Sequence, residues 1–550
     1  MPFSKKDKSL NAILNKEEQN YNELYAMIMD TLNSSNFEIK YNALNTLKSV
    51  SIEEPTFVLR FIDVLINLLS DKDEKIADLA QSIIVSLGNY NPYGILNKLL
   101  SAIFENANNG NIYAITVPNK LGRKKLIAPI DNTLLPEHYV FMEPEWITKF
   151  RAALVIGEIV KKQKYGKLDI LAYLKKQNSA GIQNLYWVSL IVGSIALNKP
   201  EIVKPLLKNI LSQLSSKSYL IQENALMALA GFARSYPKLL IKELPKIENF
   251  LQNGTVEQRF WALEIVGNLA KKYYKNVSNM VPLVLSYLYS ENTNLLRNAI
   301  WVVSIIAKKD INSIKVAIPR LFQLAIHQDE KVRFWSQNTL YYLASRLRKN
   351  LTLFVEQFYY YIEYSEFVEF AVTISISLLN RKNIDEYLDV TLLSDRLNQI
   401  LMITDNENLI SEILEFFSLF AGKYPYLFAK HYVNTIIQFV IHPNYNIRAS
   451  ALWTLDKLAE KNPHILLDKV HYFRKVLDST RKIELLYLTL SIVERLASTT
   501  LLSSDKSLVD ALVKLAEYDD SLVRKKVYSI LILLGETALA DELMRQDFDE

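Results

Sequence analysis

Leu226-Met227-Ala228-Leu229-Ala230-Gly231-Phe232-Ala233 is followed one interval later by Leu263-Glu264-Ile265-Val266-Gly267-Asn268-Leu269-Ala270. Both stretches are apolar frames closed by an alanine. The frame returns as Ile191-Val192-Gly193-Ser194-Ile195-Ala196, as Trp301-Val302-Val303-Ser304-Ile305-Ile306-Ala307 and as Leu340-Tyr341-Tyr342-Leu343-Ala344. The five closing alanines stand 37 residues apart, and further on Ala421, Ala459, Ala497 and Gly535 stand 38 apart. A period of this length marks a chain assembled from repeated supersecondary units.

The residues around each closing position explain the period. Eight residues earlier the chain places a small side chain (Ala225, Ala262, Ala299, Ser336, Ala451), and four earlier a large apolar one (Leu229, Val266, Val303, Leu340, Leu455). Those offsets share one face of a helix, and the small residues let a neighbouring helix come close. Upstream of each such helix lies another apolar stretch, such as Ile202 to Leu214 or Met280 to Leu288, joined to it by a polar turn such as Ser215 to Ser218 or His327 to Lys331. One helix–turn–helix unit cannot bury both of its apolar faces, so the units must stack. The expected fold is all-α, a right-handed α-α superhelix of about thirteen helix pairs. Second helices are expected near residues 39–51, 76–88, 146–160, 183–196, 220–233, 257–270, 294–307, 331–344, 366–379, 409–421, 447–459, 484–497 and 521–535.

Two turns carry a more specific pattern. Asp329-Glu330-Lys331-Val332-Arg333 and Asp520-Ser521-Leu522-Val523-Arg524, each opening a second helix, resemble the Asp…Val-Arg signature of HEAT repeats. The chain resembles the HEAT/armadillo class of helical-repeat proteins from about residue 20 to 537. The resemblance implies that Asp329, Arg333, Asp520 and Arg524 belong to a ladder of polar contacts between stacked turns. Arg259, Arg297 and Arg448 occupy similar places, but Thr255, Thr293 and Asn444 stand where the acids would be, which breaks the ladder there. Armadillo importins carry Trp-x-x-x-Asn along their binding surface. Here the residues four after Trp187, Trp261, Trp301, Trp335 and Trp453 are Ile191, Ile265, Ile305, Thr339 and Lys457, so peptide capture by that pattern is not expected.

Composition narrows the rest. Half of the 550 residues are hydrophobic, and only 13 glycines and 16 prolines punctuate the chain, which favours helices on short turns over sheets and phosphate-binding loops. The absence of cysteine excludes disulfides, thiolate metal sites and cysteine nucleophiles. The charged start, Met1 to Lys8, lacks the apolar stretch of a secretory signal, and the longest uncharged apolar run, near Leu185 to Leu197, is too short to cross a bilayer. A cytoplasmic location is the expectation. The net charge of +5 is small for this length and is not the bias of a dedicated nucleic-acid binder.

The domain reading is a flexible segment over 1–20, repeats over 21–379, an irregular connection over 380–408, repeats over 409–537 and an acidic tail over 538–550. The period is broken once, by an insertion over 106–145. Within it, two β-prone runs flank Pro118-Asn119-Lys120-Leu121-Gly122 and read as a hairpin-like loop whose tip holds Lys120, Arg123, Lys124 and Lys125. Long loops in compact folds are often functional, which makes this a candidate basic finger for an acidic protein, a phosphate backbone or lipid headgroups.

The aromatics supply the other candidate surface. Arg259-Phe260-Trp261 and Arg333-Phe334-Trp335 repeat one triplet two units apart, with Trp187 in the register of the two tryptophans; these three tryptophans read as packing between repeats. Trp301 and Trp453 lie six residues before their closing alanines, roughly opposite the small-residue face. They are expected on the concave surface as interface anchors, with Phe260 and Phe334 nearby. The tyrosine-rich run Phe354 to Tyr364 reads as an ordinary packed first helix.

No catalytic constellation accompanies these features. The six histidines show no paired metal-ligand spacing, the nearest cluster being His464 and His471 beside Asp468, and no phosphate loop, nucleophile elbow or kinase signature occurs. No cofactor is implied. The expected function is a non-catalytic scaffold or adaptor for a protein partner. The alternatives are a nucleic-acid-associated or chromosome-associated HEAT protein and an adaptin-like trafficking subunit.

Overall fold

The computed structural model describes residues 22–104, 144–162, 170–178, 182–348, 350–362, 364–499 and 505–549. The inserted hairpin, with Lys120, Arg123, Lys124 and Lys125, lies outside the described residues, as does the segment 1–20. The described residues form helices joined by turns, with no strand among them. They fall into two compact units, Met1–Lys309 and Asp310–Glu550.

In the first unit the second helices are α1 (Phe37–Glu53), α2 (Glu74–Tyr90), α3 (Pro144–Lys162), α4 (Ile182–Asn198), α5 (Tyr219–Ser235), α6 (Val256–Val277) and α7 (Thr293–Lys309). In the second they are α8 (Glu330–Arg346), α9 (Val368–Leu379), α10 (Glu407–Lys423), α11 (Tyr445–Ala459), α12 (Ile483–Ala497) and α13 (Ser521–Leu533). Each expected second helix is present, within a few residues of its expected span except α6, which runs on to Val277 past a non-helical Tyr273. Their starts are set chemically. The side chains of Asn36, Asp73, Thr255, Asp329, Asn406, Asn444 and Asp520 accept from backbone N–H groups of the first turn, which would otherwise lack partners. Thr255 and Gln258 complete a reciprocal capping box at the head of α6.

The first helices are more broken than their apolar pattern suggests. Ile202 to Leu214 resolves into Pro200–Val203, a 3₁₀ turn Lys204–Leu206 and Leu207–Gln213, and Met280 to Leu288 into turns around the short helix Val281–Ser286. Pro205 and Pro282 are the cause. Proline has no N–H to continue a helix but is suited to the first turn of a new one.

Three expected boundaries shift. Residues 380–408 are not an irregular connection, because they contain the helix Val390–Ile403, capped by Asp389 and packed through Leu393, Leu397 and Leu401. The division between compact units falls at Lys309/Asp310 instead. The acidic tail 538–550 is mostly helix, α14 (Thr537–Asp549), with Ala540 buried. The expected helix 521–535 stops at Leu533 because Gly535 takes φ +89°, and the Glu536 N–H then reaches the Leu531 carbonyl at 2.9 Å.

Stacking follows the small-residue logic. Successive second helices lie against one another within each unit. A close approach in the first is that of α5 to α4, where a Cβ on Gly231 would fall 2.0 Å from the Ala196 carbonyl oxygen. The cores are aliphatic and aromatic. Phe322, Phe354, Tyr361 and Phe367 form one ring cluster, so the tyrosine-rich run is a packed first helix, Leu351–Tyr361, as its sequence suggests. Among the described residues no helix is long and apolar enough to cross a membrane.

Candidate binding surface

The HEAT-like turns place their signature residues locally. Asp329 caps α8 through the Val332 N–H (3.0 Å), and Asp520 caps α13 through Leu522 and Val523. Arg333 donates from Nη1 to the carbonyl of His327 (2.8 Å), and Arg524 to those of Tyr518 (2.7 Å) and Asp519 (3.0 Å). Arg259 likewise reaches back to the Gln252 carbonyl (3.2 Å). These bonds staple each helix to its own preceding turn. The acids are short and lie within reach of the first-turn N–H groups, and the arginines point back along the helix toward its start. Two histidines join the staples: His327 and His442 accept from the N–H of Asp329 (2.9 Å) and Asn444 (3.1 Å).

A contact between repeats does recur, at a register that the sequence carries plainly. The position nine before the closing alanine runs Trp187, Asn224, Trp261, Asn298, Trp335 at intervals of 37. Asn224 Nδ2 donates to the Ser189 hydroxyl (3.0 Å) and the Tyr186 carbonyl (3.4 Å), and Asn298 Nδ2 donates to the Phe260 carbonyl (2.8 Å). Each asparagine thus bonds to the carbonyl just before a tryptophan of the preceding repeat. Tyr186, Phe260 and Phe334 stand edge-on to Trp187, Trp261 and Trp335, with centroids 4.8, 5.1 and 5.2 Å apart. Trp187 and Trp261 are buried and Trp335 half-buried, which is the packing role expected of them.

The expected anchors divide. Trp301 is half-buried: its ring lies against Gly267 of α6, and the Lys271 Nζ sits 5.0 Å from the ring centroid. Burial pushes the Lys271 ammonium below its ordinary pKa, partly opposed by Glu264. Trp301 is therefore mainly a stacking residue. Phe260, in the same unit, is also half-buried. In the second unit Phe334 is 55% exposed and Trp453 50%, with the Lys457 ammonium 5.2 Å from the Trp453 ring centroid. Tyr341 and Tyr487 are exposed on α8 and α12. Relative to the closing alanines these four sit at minus ten, minus six, minus three and minus ten, a single helical stripe.

Beside that stripe, α8, α9 and α10 line a groove of about 740 Å³. Its lining takes Tyr341, Arg346 and Arg348 from α8 and the residues just past it, Lys382 from the turn after α9, and Glu412 and Glu415 from α10. Arg381 closes the C-terminal end of α8, donating to the Ala344 carbonyl (2.6 Å) and to that of Leu347. Lys423 does the same for α9, with Nζ 3.1 Å from the Leu379 carbonyl and 3.2 Å from that of Arg381. Glu412 is pushed above the ordinary carboxylate pKa by desolvation, then by the charges of Glu369 and Glu415. Among the described residues no group of three metal-ligating side chains occurs, and His464 and His471 form no cluster with Asp468, which pairs with Lys469 at 2.8 Å.

One buried acid escaped the sequence reading. Glu223 on α5 accepts from the Thr255 hydroxyl (3.0 Å), and burial and then the charge of Glu257 raise its pKa to about 8. Its signal is an acid within the polar triplet Gln222-Glu223-Asn224, directly ahead of the apolar run Ala225 to Ala233.

The class defined by these stacked helix pairs is that of HEAT/armadillo-like helical-repeat proteins. No family model and no curated protein matches the chain. Among solved structures, Kap95p bound to RanGDP, described in the context of nuclear import complex assembly, is similar with TM-score 0.52 and 11% identity over 96% of this chain and 76% of that one. A Kap95:Nup1 complex aligns at TM-score 0.46 and 12% identity, over 96% of this chain and 63% of that one. An engineered protein aligns at TM-score 0.32 and 13% identity, over 92% and 98%. At such identities the likeness is one of fold.

Proposed function

We propose that the chain is a non-catalytic scaffold that docks a protein partner on the exposed stripe of the second helices in the second unit. The observation that carries this reading is the alignment of Phe334, Tyr341, Trp453 and Tyr487 along one helical stripe, all exposed. Single exposed apolar side chains are ordinary, but large aromatics repeated in one register are costly to leave in water and are typical of interface anchors. The fold likeness to Kap95p, a protein solved with a bound protein, supports the same reading. A cytoplasmic location belongs to this proposal. The proposed basic finger at Lys120, Arg123, Lys124 and Lys125 would be a second, separate contact.

The test is affinity purification of the full chain from its native cells, comparing wild type with Trp453→Ala/Tyr487→Ala. Loss of a stoichiometric protein from the variant, with its melting curve unchanged, supports the reading. Recovery of the same proteins in the same amounts overturns it.

A further inference from the structure

The groove between α8, α9 and α10 has an unusual charge arrangement. Helix C-termini gather there, and their free carbonyls carry partial negative charge. That charge is already answered from within: Arg381 covers the end of α8 and Lys423 the end of α9. Arg346, Arg348 and Lys382 are therefore surplus. All three are exposed, and none makes a hydrogen bond or ion pair among the described residues. Across the groove Glu412 and Glu415 are also without an ion pair among those residues, and they repel each other. Two walls of opposite charge thus face one cavity without neutralising each other.

We propose that this groove holds a peptide segment of a partner protein that carries carboxylates along one edge, against Arg346, Arg348 and Lys382, and a lysine or arginine along the other, against Glu412 and Glu415. The proposal rests on the reading of the chain as a protein-binding scaffold and adds the chemistry of the partner. Arginine suits the first wall because its planar fork binds a carboxylate through two parallel bonds. Tyr341, on α8 with Arg346, offers a ring in the same cavity against which the peptide's aliphatic stems can lie. A nucleic acid is disfavoured, since a uniform polyanion satisfying the first wall would be pressed against the carboxylates of the second. The two walls also fix direction, because a peptide inserted backwards brings like charges together.

The experiment is selection of a randomised displayed-peptide library on the full chain, repeated on Arg346→Glu/Arg348→Glu and on Glu412→Lys/Glu415→Lys. These side chains are exposed, and thermal melts verify that both variants fold. Peptides enriched by the wild type should combine acidic residues with a basic residue at a fixed spacing and in one order. The best of them, labelled and titrated by fluorescence anisotropy, should bind each variant at least about tenfold more weakly, and an oligo-dT competitor should not displace it. Enriched sequences without paired charges, or with affinity unchanged by both reversals, overturn the proposal. So does displacement by the oligonucleotide at a concentration similar to that of the peptide. Because Trp453 and Tyr487 line neither wall, their substitution separates failure of the scaffold reading from failure of this one.

Discussion

Gly267 on α6 is the seat of the Trp301 ring of α7. A Cβ built on Gly267 would fall 2.4 Å from one ring atom and 2.9 Å from both a second ring atom and the Val302 side chain. The glycine costs α6 helix propensity, about 1 kcal/mol relative to alanine, and admits a large aromatic in exchange.

Gly267→Ala should therefore destabilise the first unit despite the better helix former. Overpacking of a rigid ring costs about 1–3 kcal/mol against a propensity gain of about 1 kcal/mol, so a net loss of up to about 2 kcal/mol is expected. The sign should reverse once the ring is gone. In a Trp301→Leu background the same change should be neutral or stabilising by up to about 1 kcal/mol. Urea denaturation of the four proteins in this cycle measures the coupling, and equal effects of Gly267→Ala in both backgrounds would exclude the contact.

Glu223 gives the first unit a pH dependence. Its folded pKa of about 8 lies above the ordinary glutamate value of 4.5, chiefly through desolvation. Between those values the folded chain holds a proton that the unfolded chain releases, so the stabilising contribution is fully present below about pH 4.5. It is lost progressively as pH rises through about 8. Glu223→Gln keeps an oxygen for the Thr255 hydroxyl and removes the charge. The variant should match wild type in acid and exceed it in stability at pH 8–9. Denaturation midpoints from pH 5 to 9 decide this, and parallel curves for the two proteins would refute it.

The second helices are legible chiefly from the closing alanine and the small residue eight before it, and α6, α8 and α11 add a capping Thr255, Asp329 and Asn444 ahead. The first helices were less so, since an apolar run does not reveal that Pro205 or Pro282 will split it. The helix Val390–Ile403 could have been read from Leu393, Leu397 and Leu401, but it carries no closing alanine and so fell outside the period. Trp301 shows a different limit. A helical wheel gives the direction of a Cβ, whereas a long side chain ends wherever its neighbour leaves room, and Gly267 leaves that room beside α6. The asparagines between the tryptophans carry no apolar signal, although Asn224 and Asn298 keep the same beat.

Asp456 and Arg495 join α11 to α12 through a hydrogen-bonded ion pair, with Glu460 3.5 Å from the same guanidinium. Desolvation raises the Asp456 pKa, opposed by Arg495. Arg495→Met leaves a largely buried carboxylate without its cation. Breaking a fully buried pair costs about 3–5 kcal/mol, and because Arg495 is partly exposed the expectation here is about 1–3 kcal/mol. The Asp456 pKa should rise further in that variant, so its deficit should shrink as pH falls and the carboxyl takes a proton. Adding Asp456→Asn should recover most of the loss at neutral pH. A deficit independent of pH and unrelieved by the second change would assign the effect to packing alone.

Arg381 tests whether the α8–α9 junction depends on fork geometry or on charge. Its two terminal nitrogens reach two different carbonyls, those of Ala344 and Leu347, at the end of the preceding helix. Charge-assisted bonds to the end of a helix contribute about 1.5–3 kcal/mol when sheltered and less where water competes. Arg381→Ala should thus lower the stability of the second unit by about 1–2 kcal/mol. Arg381→Lys keeps the charge and its attraction to the helix dipole but offers a single ammonium where two diverging donors are needed. If the fork is what matters, lysine should recover less than half of the loss. Raising the salt concentration should then barely narrow the gap between the arginine and lysine proteins, because a directional bond is screened less than a charge–dipole attraction. Full recovery by lysine, with a gap to alanine that vanishes in salt, would make the junction electrostatic instead.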